Sequence, residues 1–215
     1  MNYSDCGYNV LYDNKMPMCF VGNTVYNKLL YDHWKDKRPC LLHTVEEVEL
    51  KSQDWIDQHQ FMCAVSNVGF KRLVVEKLSK FNPHYFSIVG NNNNFIDVDI
   101  GVGTFVQNYN TAVFDNPRIG NHCTVTSYTV LGHKSVIDDF CHVSAYCFIN
   151  YTNLQSGNLL AIRCSMLGHP GELLNIAPNC NFMMGSTVTK PVVKTGTYFG
   201  NRLVSEESSL TYKLL

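Results

Sequence analysis

Two histidines and one aspartate in the middle of the chain are the residues whose types and spacing best suit proton-transfer chemistry. His133 and His142 are nine residues apart, and Asp115 lies eighteen residues before His133. An imidazole changes its charge near neutral pH, so it can accept a proton from an attacking amine or hydroxyl. A nearby carboxylate can orient such an imidazole. These three residues are the candidate catalytic residues, and ordinary surface histidines are the alternative.

The segment that must position these residues has a strict six-residue period. An aliphatic residue recurs every six positions, and a small residue follows four positions after each of the first five. The aliphatic residues are Ile119, Val125, Leu131, Ile137, Val143 and Ile149, and the small ones are Cys123, Thr129, Ser135, Cys141 and Cys147. Neither a helix nor a simple strand produces a period of six. A triangular β-solenoid does, because three such units form one eighteen-residue coil.

This coil length predicts where the candidate residues lie. Residues eighteen apart stack on neighbouring coils at about the spacing of paired strands, ~4.8 Å. We therefore expect Asp115 beneath His133, and Cys123 and Cys141 stacked, buried, reduced and without metal. Both histidines fall at slots that point away from the core. We expect them on the surface, where a ligand or a neighbouring subunit would pack.

The first eighty residues show a different pattern, in which short apolar strands alternate with helical spacing. Such alternation predicts βαβ connectivity and a parallel sheet. The turn at Gly22-Asn23 could present backbone N–H groups to a phosphate, although a plain turn is an equal alternative. The predicted organisation is a small α/β domain at 1–82, a β-helix at 95–203 and a capping tail at 204–215. Within the β-helix, we expect Val113 to open the register that Ile119 continues.

Composition excludes several functional classes. The chain has 215 residues, 45% hydrophobic content and a net charge of −1, so we expect neither nucleic acid nor an anionic membrane as a partner. There is no apolar run of transmembrane length and no signal-peptide pattern at the start, which favours a cytoplasmic location. The nine cysteines include no Cys-x-x-Cys pair, so we expect no metal site.

Four segments resemble a known enzyme family. Residues 127–144 (SYTVLGHKSVIDDFCHVS) look like the active-site segment of the left-handed β-helix sugar acyltransferases of the sialic-acid O-acetyltransferase and bacillosamine N-acetyltransferase type. Residues 61–67 (FMCAVSN) resemble its nucleotide-sugar-binding domain. Residues 184–191 (MGSTVTKP) and 196–200 (GTYFG) resemble its closing coil.

The resemblance implies an activity and an assembly. The activity is transfer of an acetyl group from acetyl-CoA to the amine of a nucleotide-linked 4-amino-6-deoxy sugar. The assembly is a homotrimer with active sites between neighbouring solenoids. His133 is then the general base, and His142 lies near the thioester end of the cofactor.

The remaining site residues are predicted for binding. The backbone around Asn150 and Tyr151 is the expected oxyanion donor. The expected cofactor contacts are Tyr151, Gly185, Ser186, Lys190 and Arg202, together with His142. The expected acceptor contacts are Gly22, Asn23, Asn67 and Lys134.

The sequence departs from the family in ways that leave alternatives open. Lys134 stands where an acidic residue normally follows the first histidine, and His43-Thr44 replaces an acidic pair after the second strand. An O-acetyltransferase on the same scaffold, or a non-catalytic β-helix used for assembly, remains an alternative. A zinc enzyme of the carbonic anhydrase type is disfavoured, because the histidines lack a pair four residues apart.

Overall fold

The computed structural model describes residues 7–112 and 115–209 and shows two structural units. Val113, which we expected to open the main register, lies outside the described residues. No helix in these two described ranges is long and apolar enough to cross a membrane.

The N-terminal unit is a four-stranded parallel sheet flanked by helices. Its elements are β2 (Met18–Val21), α1 (Val25–Trp34), β3 (Cys40–His43), α2 (Val45–Glu49), α3 (Gln53–Asp57), β4 (Gln60–Met62), α4 (Val68–Ser79) and β5 (His84–Tyr85). The strand order is β3-β2-β4-β5. The chain therefore reverses direction across the sheet between β2 and β4, and open α/β sheets bind ligands at such a switch point.

The helices of this unit begin at polar caps that the sequence supplies. Thr24, Thr44 and Asn67 each accept a hydrogen bond from a backbone N–H in the first turn of α1, α2 and α4. Thr44 and Glu47 form a full capping box at α2. Each cap satisfies an N–H that has no partner within the helix, a contribution of about 1 kcal/mol. The segment after β3 thus forms two short helices.

The second unit is a β-helix of short strands that form three faces. The strands are β1 (Tyr8–Leu11), β6 (Ser87–Gly90), β7 (Asn94–Phe95), β8 (Asp99–Ile100), β9 (Phe105–Val106), β10 (Thr111–Ala112), β11 (Arg118–Ile119), β12 (Thr124–Val125), β13 (Val130–Leu131), β14 (Val136–Ile137), β15 (His142–Val143), β16 (Phe148–Asn150), β17 (Thr152–Leu154), β18 (Leu159–Leu160), β19 (Ser165–Leu167), β20 (Leu174–Ile176), β21 (Asn181–Phe182), β22 (Thr187–Val188), β23 (Thr197–Phe199) and β24 (Arg202–Ser205). The face on which the N-terminal unit packs, called the docked face, contains the nine-stranded sheet β1-β6-β9-β12-β15-β18-β21-β23-β24. The apolar face contains the six-stranded sheet β22-β19-β16-β13-β10-β7, and the polar face contains the five-stranded sheet β20-β17-β14-β11-β8.

The six-residue pattern forms the core, as predicted. All six aliphatic residues between Ile119 and Ile149 are buried, and so are the five small residues between them. Burial of each aliphatic side chain contributes about 1.5–3 kcal/mol. Cys123 and Cys141 are buried and free, as expected. The eight cysteines in the described part of the chain are all free.

The ends of the β-helix differ from the predicted boundaries. The first coil strand is β6, which starts at Ser87, ahead of residue 95. Residues close to the start of the chain form β1, which pairs antiparallel with β6. At the other end, β24 folds back antiparallel on β23. Both additions cover strand edges that would otherwise be open to another chain.

Candidate active site

His133 lies at the corner between the apolar and polar faces, in the turn from β13 to β14. Its Nδ1 is 2.9 Å from Oδ2 of Asp115, one coil below. The side chains of His133 and Asp115 are 42% and 46% exposed. The eighteen-residue spacing predicted this contact, which places Nε2 of His133 on the side of the ring away from Asp115. We call this edge of the β-helix the histidine corner.

The backbone of His133 is also held by the coil above. Its N–H donates to Asn150 Oδ1 at 2.9 Å, and its carbonyl accepts from Tyr151 N–H at 2.7 Å. Gly132 permits this approach, because a Cβ there would lie 2.3 Å from Asn150 Oδ1. The N–H of Tyr151, which belongs to the backbone expected to donate to an oxyanion, is thus already paired within the β-helix.

His142 is not in a groove, contrary to the sequence-based expectation. It lies on β15 of the docked face with 3% of its surface exposed. Its slot does point away from the core, but the N-terminal unit covers it. Nε2 is 3.1 Å from Ser144 Oγ, whereas Nδ1 is buried and has no hydrogen-bond partner among the described residues. His142 is therefore no candidate for contact with a thioester.

Helix α4 is the element that covers His142. Lys71 on this helix is fully buried and donates to Thr124 Oγ1 at 2.9 Å, and Arg72 donates to Ser156 Oγ at 2.8 Å. The Arg72 guanidinium also lies 5.0 Å from the centre of the Phe140 ring. These contacts fix the N-terminal unit on the docked face and on the corner that this face shares with the polar face.

The electrostatics of this buried interface are unusual. Burial and the neighbouring Lys71 lower the pKa of His142 to about 3, and the same two effects lower the pKa of His122 to about 4. Burial also lowers the pKa of Lys71. Among the described residues, Lys71 forms no salt bridge with a carboxylate. The interface therefore favours neutral histidines, and its polar groups serve the docking of the two units.

A cavity of about 370 Å³ lies at the switch point of the N-terminal sheet. Its lining residues are Gly22, Asn23, Thr24, Thr44, Val45, Glu46, Val65, Asn67 and Phe70. The structure thus brings together the predicted acceptor contacts Gly22, Asn23 and Asn67. The first turns of α1 and α4 border this cavity, and helix N-termini favour anions.

Buried Asn27 shapes the cavity and was not predicted as a site residue from the sequence. Its Nδ2 donates to the carbonyls of Val21 and Gly22, and its Oδ1 accepts from Ala64 N–H at 2.9 Å. It thereby joins the ends of two strands. Thr44 and Glu46 also line the cavity and were not predicted from the sequence. The Thr-x-x-Glu capping box at residues 44–47 nevertheless marks this helix start in the sequence.

Lys134, the fourth predicted acceptor contact, is exposed and lies apart from this cavity. It follows His133 in the same turn, with a left-handed φ of 46°. The histidine corner is opposite the docked face, where the N-terminal unit packs. One chain therefore does not bring its own cavity and its own His133 together.

The predicted cofactor residues divide between exposed and buried positions. Gly185, Lys190 and Arg202 are exposed in the last coils. An added Cβ at Gly185 would meet no atom of residues 7–112 or 115–209 within 4 Å, so this described part of the chain leaves the backbone there open to a ligand. Ser186 is buried, with its Oγ accepting from Gly200 N–H at 3.2 Å. Ser186 therefore supports the coil and does not contact a surface ligand.

The described residues, 7–112 and 115–209, include no group of three or more His, Cys, Asp and Glu side chains placed to hold a metal ion.

Comparison with solved structures identifies the fold. WeeI from Acinetobacter baumannii is 17% identical over 89% of this chain and 100% of its own, with a TM-score of 0.59. A His→Asn variant of perosamine N-acetyltransferase from Caulobacter crescentus, in complex with CoA and GDP-perosamine, is 10% identical over 90% of this chain and 98% of its own, with a TM-score of 0.71. The acetyltransferase domain of PglB from Neisseria gonorrhoeae is 14% identical over 89% of this chain and 100% of its own, with a TM-score of 0.50.

No protein-family model matches the sequence, and no curated protein matches it either. The structural likeness nevertheless spans both units of the chain. The predicted fold, a small α/β unit followed by a left-handed parallel β-helix, is thereby confirmed.

Proposed function

We propose that the chain is an acetyl-CoA-dependent N-acetyltransferase that acts on the amine of a nucleotide-linked amino sugar, of the 4-amino-4,6-dideoxyhexose type, for glycan biosynthesis. The observation that carries this proposal is the exposed His133–Asp115 pair on the histidine corner. The structural likeness to a perosamine N-acetyltransferase complex supports the choice of acceptor. The predicted cytoplasmic location stays a prediction.

The pair has the geometry of an oriented general base. Nδ1 faces a carboxylate, which only accepts hydrogen bonds, so Nδ1 carries the proton and Nε2 is basic. In the proposed reaction the sugar amine attacks the thioester carbonyl carbon, the new N–C bond forms and the C–S bond breaks. Nε2 of His133 takes the proton that the amine loses and can return it to the departing thiolate. Asp115 stabilises the imidazolium that exists between these two transfers.

Acetyl-CoA supplies the activated acetyl group. Gly185, Lys190 and Arg202 are the candidate contacts for it, because the backbone at Gly185 is open and the two cations are exposed. Two positive charges on one end of the solenoid suit the phosphates of this co-substrate.

The direct test is an assay for thiol release. The purified chain is incubated with acetyl-CoA and a panel of nucleotide-linked 4-amino sugars, and free CoA is followed. We expect release that requires an amine acceptor and yields an N-acetylated sugar. Release with the matching hydroxyl sugars alone would assign O-acetylation instead. Acetyl-CoA binding without any release would favour the assembly role.

The nucleotide of the acceptor is proposed to bind in the switch-point cavity. Asn23 is exposed beside the first turn of α1. We expect Asn23→Asp to raise the KM for the acceptor about tenfold, since a carboxylate there would repel a phosphate by about 1.4 kcal/mol. The KM for acetyl-CoA should not change. Asn92→Asp, in an exposed loop of the first coil, is the matched control, and equal effects of Asn23→Asp on both KM values would contradict the proposal.

The chain is proposed to work as a homotrimer. Val130 and Phe148 are partners on adjacent strands of the apolar face and remain 36% and 38% exposed. Along one edge of this face, Tyr109, Tyr128 and Tyr146 stack at 4.9–5.4 Å and are each about half exposed. Exposed apolar area of this kind marks protein interfaces. Packing between copies would also let the cavity of one chain serve His133 of another.

Sedimentation tests this assembly. We expect a species of three times 24.4 kDa at micromolar concentration. Phe148→Asp should give monomers, because it would bury a charge in the interface. Asn153→Asp on the polar face is the control. An active monomer of the unmodified chain would overturn the trimer.

A further inference from the structure

Three residues form a vertical column at the histidine corner. Asp115, His133 and Tyr151 are spaced by eighteen residues and so occupy the same place on successive coils. The His133 imidazole bonds Asp115 below and stacks on the Tyr151 ring above. The two ring centroids are 5.3 Å apart, and the ring planes differ by 13°.

The hydrogen bond restrains only part of the imidazole motion. It sets the direction of Nδ1, and it favours the proton on that nitrogen while Nδ1 points at the carboxylate. A single hydrogen bond does not by itself fix the tilt of an imidazole about the line from Nδ1 to the carboxylate, and a tilted ring would carry Nε2 away from a reactant. Tyr151 adds a stacking contact on one face of the ring.

Tyr151 is itself rigidly placed. Its φ is 45°, in the left-handed region, and its N–H donates to His133 O at 2.7 Å. The coil above approaches it closely, since a Cβ added at Gly168 would lie only 2.0 Å from the carbonyl oxygen of Tyr151. The ring that stacks on His133 therefore belongs to a backbone with little freedom.

We propose that Tyr151 is a positioning residue that holds the His133 imidazole in its reactive plane. This role differs from the cofactor contact expected from the sequence. Its kinetic consequence rests on the proposed acetyltransferase function, but the geometry of the imidazole does not. Correct placement of a base matters because catalysis falls steeply with small displacements of the reacting atoms.

The first test is spectroscopic and needs no substrate. In the wild-type chain, ¹⁵N–¹H spectra of the histidine rings should show His133 as a single Nδ1-protonated tautomer, with its ring protons shifted upfield by the stacked tyrosine. Tyr151→Phe should keep both features. Tyr151→Leu, which keeps a bulky side chain without a ring, should lose the upfield shift and give a mixed tautomer signal. His133→Gln assigns the resonance.

The second test separates positioning from cofactor binding. We expect Tyr151→Leu to lower kcat about tenfold with an unchanged KM for acetyl-CoA, and Tyr151→Phe to restore kcat. A raised acetyl-CoA KM with unchanged kcat and an unchanged His133 tautomer would overturn the proposal and return Tyr151 to the cofactor. If the chain has no transferase activity, the spectra alone decide. A His133 that remains a single Nδ1-protonated tautomer in Tyr151→Leu would then reject the role, because loss of the ring removes the upfield shift in either case.

Discussion

Replacing His133 with Ala is expected to lower kcat by about two to four powers of ten, the usual contribution of general-base catalysis. The side chain is half-exposed at a solenoid corner, so its removal leaves no buried cavity. We therefore expect the trimer and the affinity for acetyl-CoA to survive. Steady-state kinetics and sedimentation on the same preparation measure these effects.

The matched control is His84→Ala, which removes an exposed histidine from the N-terminal unit. It should leave kcat unchanged. Near-normal turnover in His133→Ala would remove the base role and leave an already neutral amine as the explanation for catalysis.

Asp115→Asn should have a smaller effect than His133→Ala. The amide keeps the size of the carboxylate but lacks its charge, so the imidazolium loses one charge-assisted hydrogen bond. Such a bond is worth about 1.5–3 kcal/mol, which corresponds to about a ten- to hundredfold loss of kcat.

The stability of the chain is expected to fall steeply below about pH 6.5, because of the interface between the two units. In the unfolded chain His142 and His122 take up protons near their ordinary pKa of 6.5, whereas burial lowers their folded-state pKa to about 3 and about 4. Between these values the unfolded state binds more protons, so acid favours unfolding. Two such groups give a slope of up to about 2.7 kcal/mol per pH unit.

Urea unfolding at a series of pH values measures this slope at a fixed chain concentration. His142→Leu should reduce this slope by the contribution of about one bound proton relative to wild type. His84→Ala should leave the slope unchanged. Parallel curves for His142→Leu and wild type would contradict the prediction.

Lys71→Met should raise the free energy of unfolding, because the depressed pKa of buried Lys71 also favours the unfolded chain at neutral pH and below.

Much of the β-helix is determined by sequence that is local in the chain. The six-residue period decides which side chains point inward, since each unit repeats the same backbone path. The same period places Asp115 under His133, because the coil from Arg118 to Val136 is eighteen residues long. Local sequence also determines where helices of the N-terminal unit begin, since Thr24 and Asn67 are the N-caps of α1 and α4.

The surroundings of the outward side chains depend on contacts that no local pattern encodes. His133 and His142 occupy comparable outward slots, yet His133 is half-exposed and His142 is buried. The difference arises because α4, some seventy residues earlier in the chain, packs Lys71 against the docked face.

The sequence by itself thus determined the core, the coil length and the His133–Asp115 pair, for which short-range periodicity is sufficient. Only the tertiary structure decided that His142 is shielded, that the N–H of Tyr151 is already paired and that its ring stacks on His133. It also decided that the switch-point cavity lies away from His133 of the same chain. These outcomes depend on how two independently patterned units dock, and docking is set by side-chain complementarity between residues far apart in sequence.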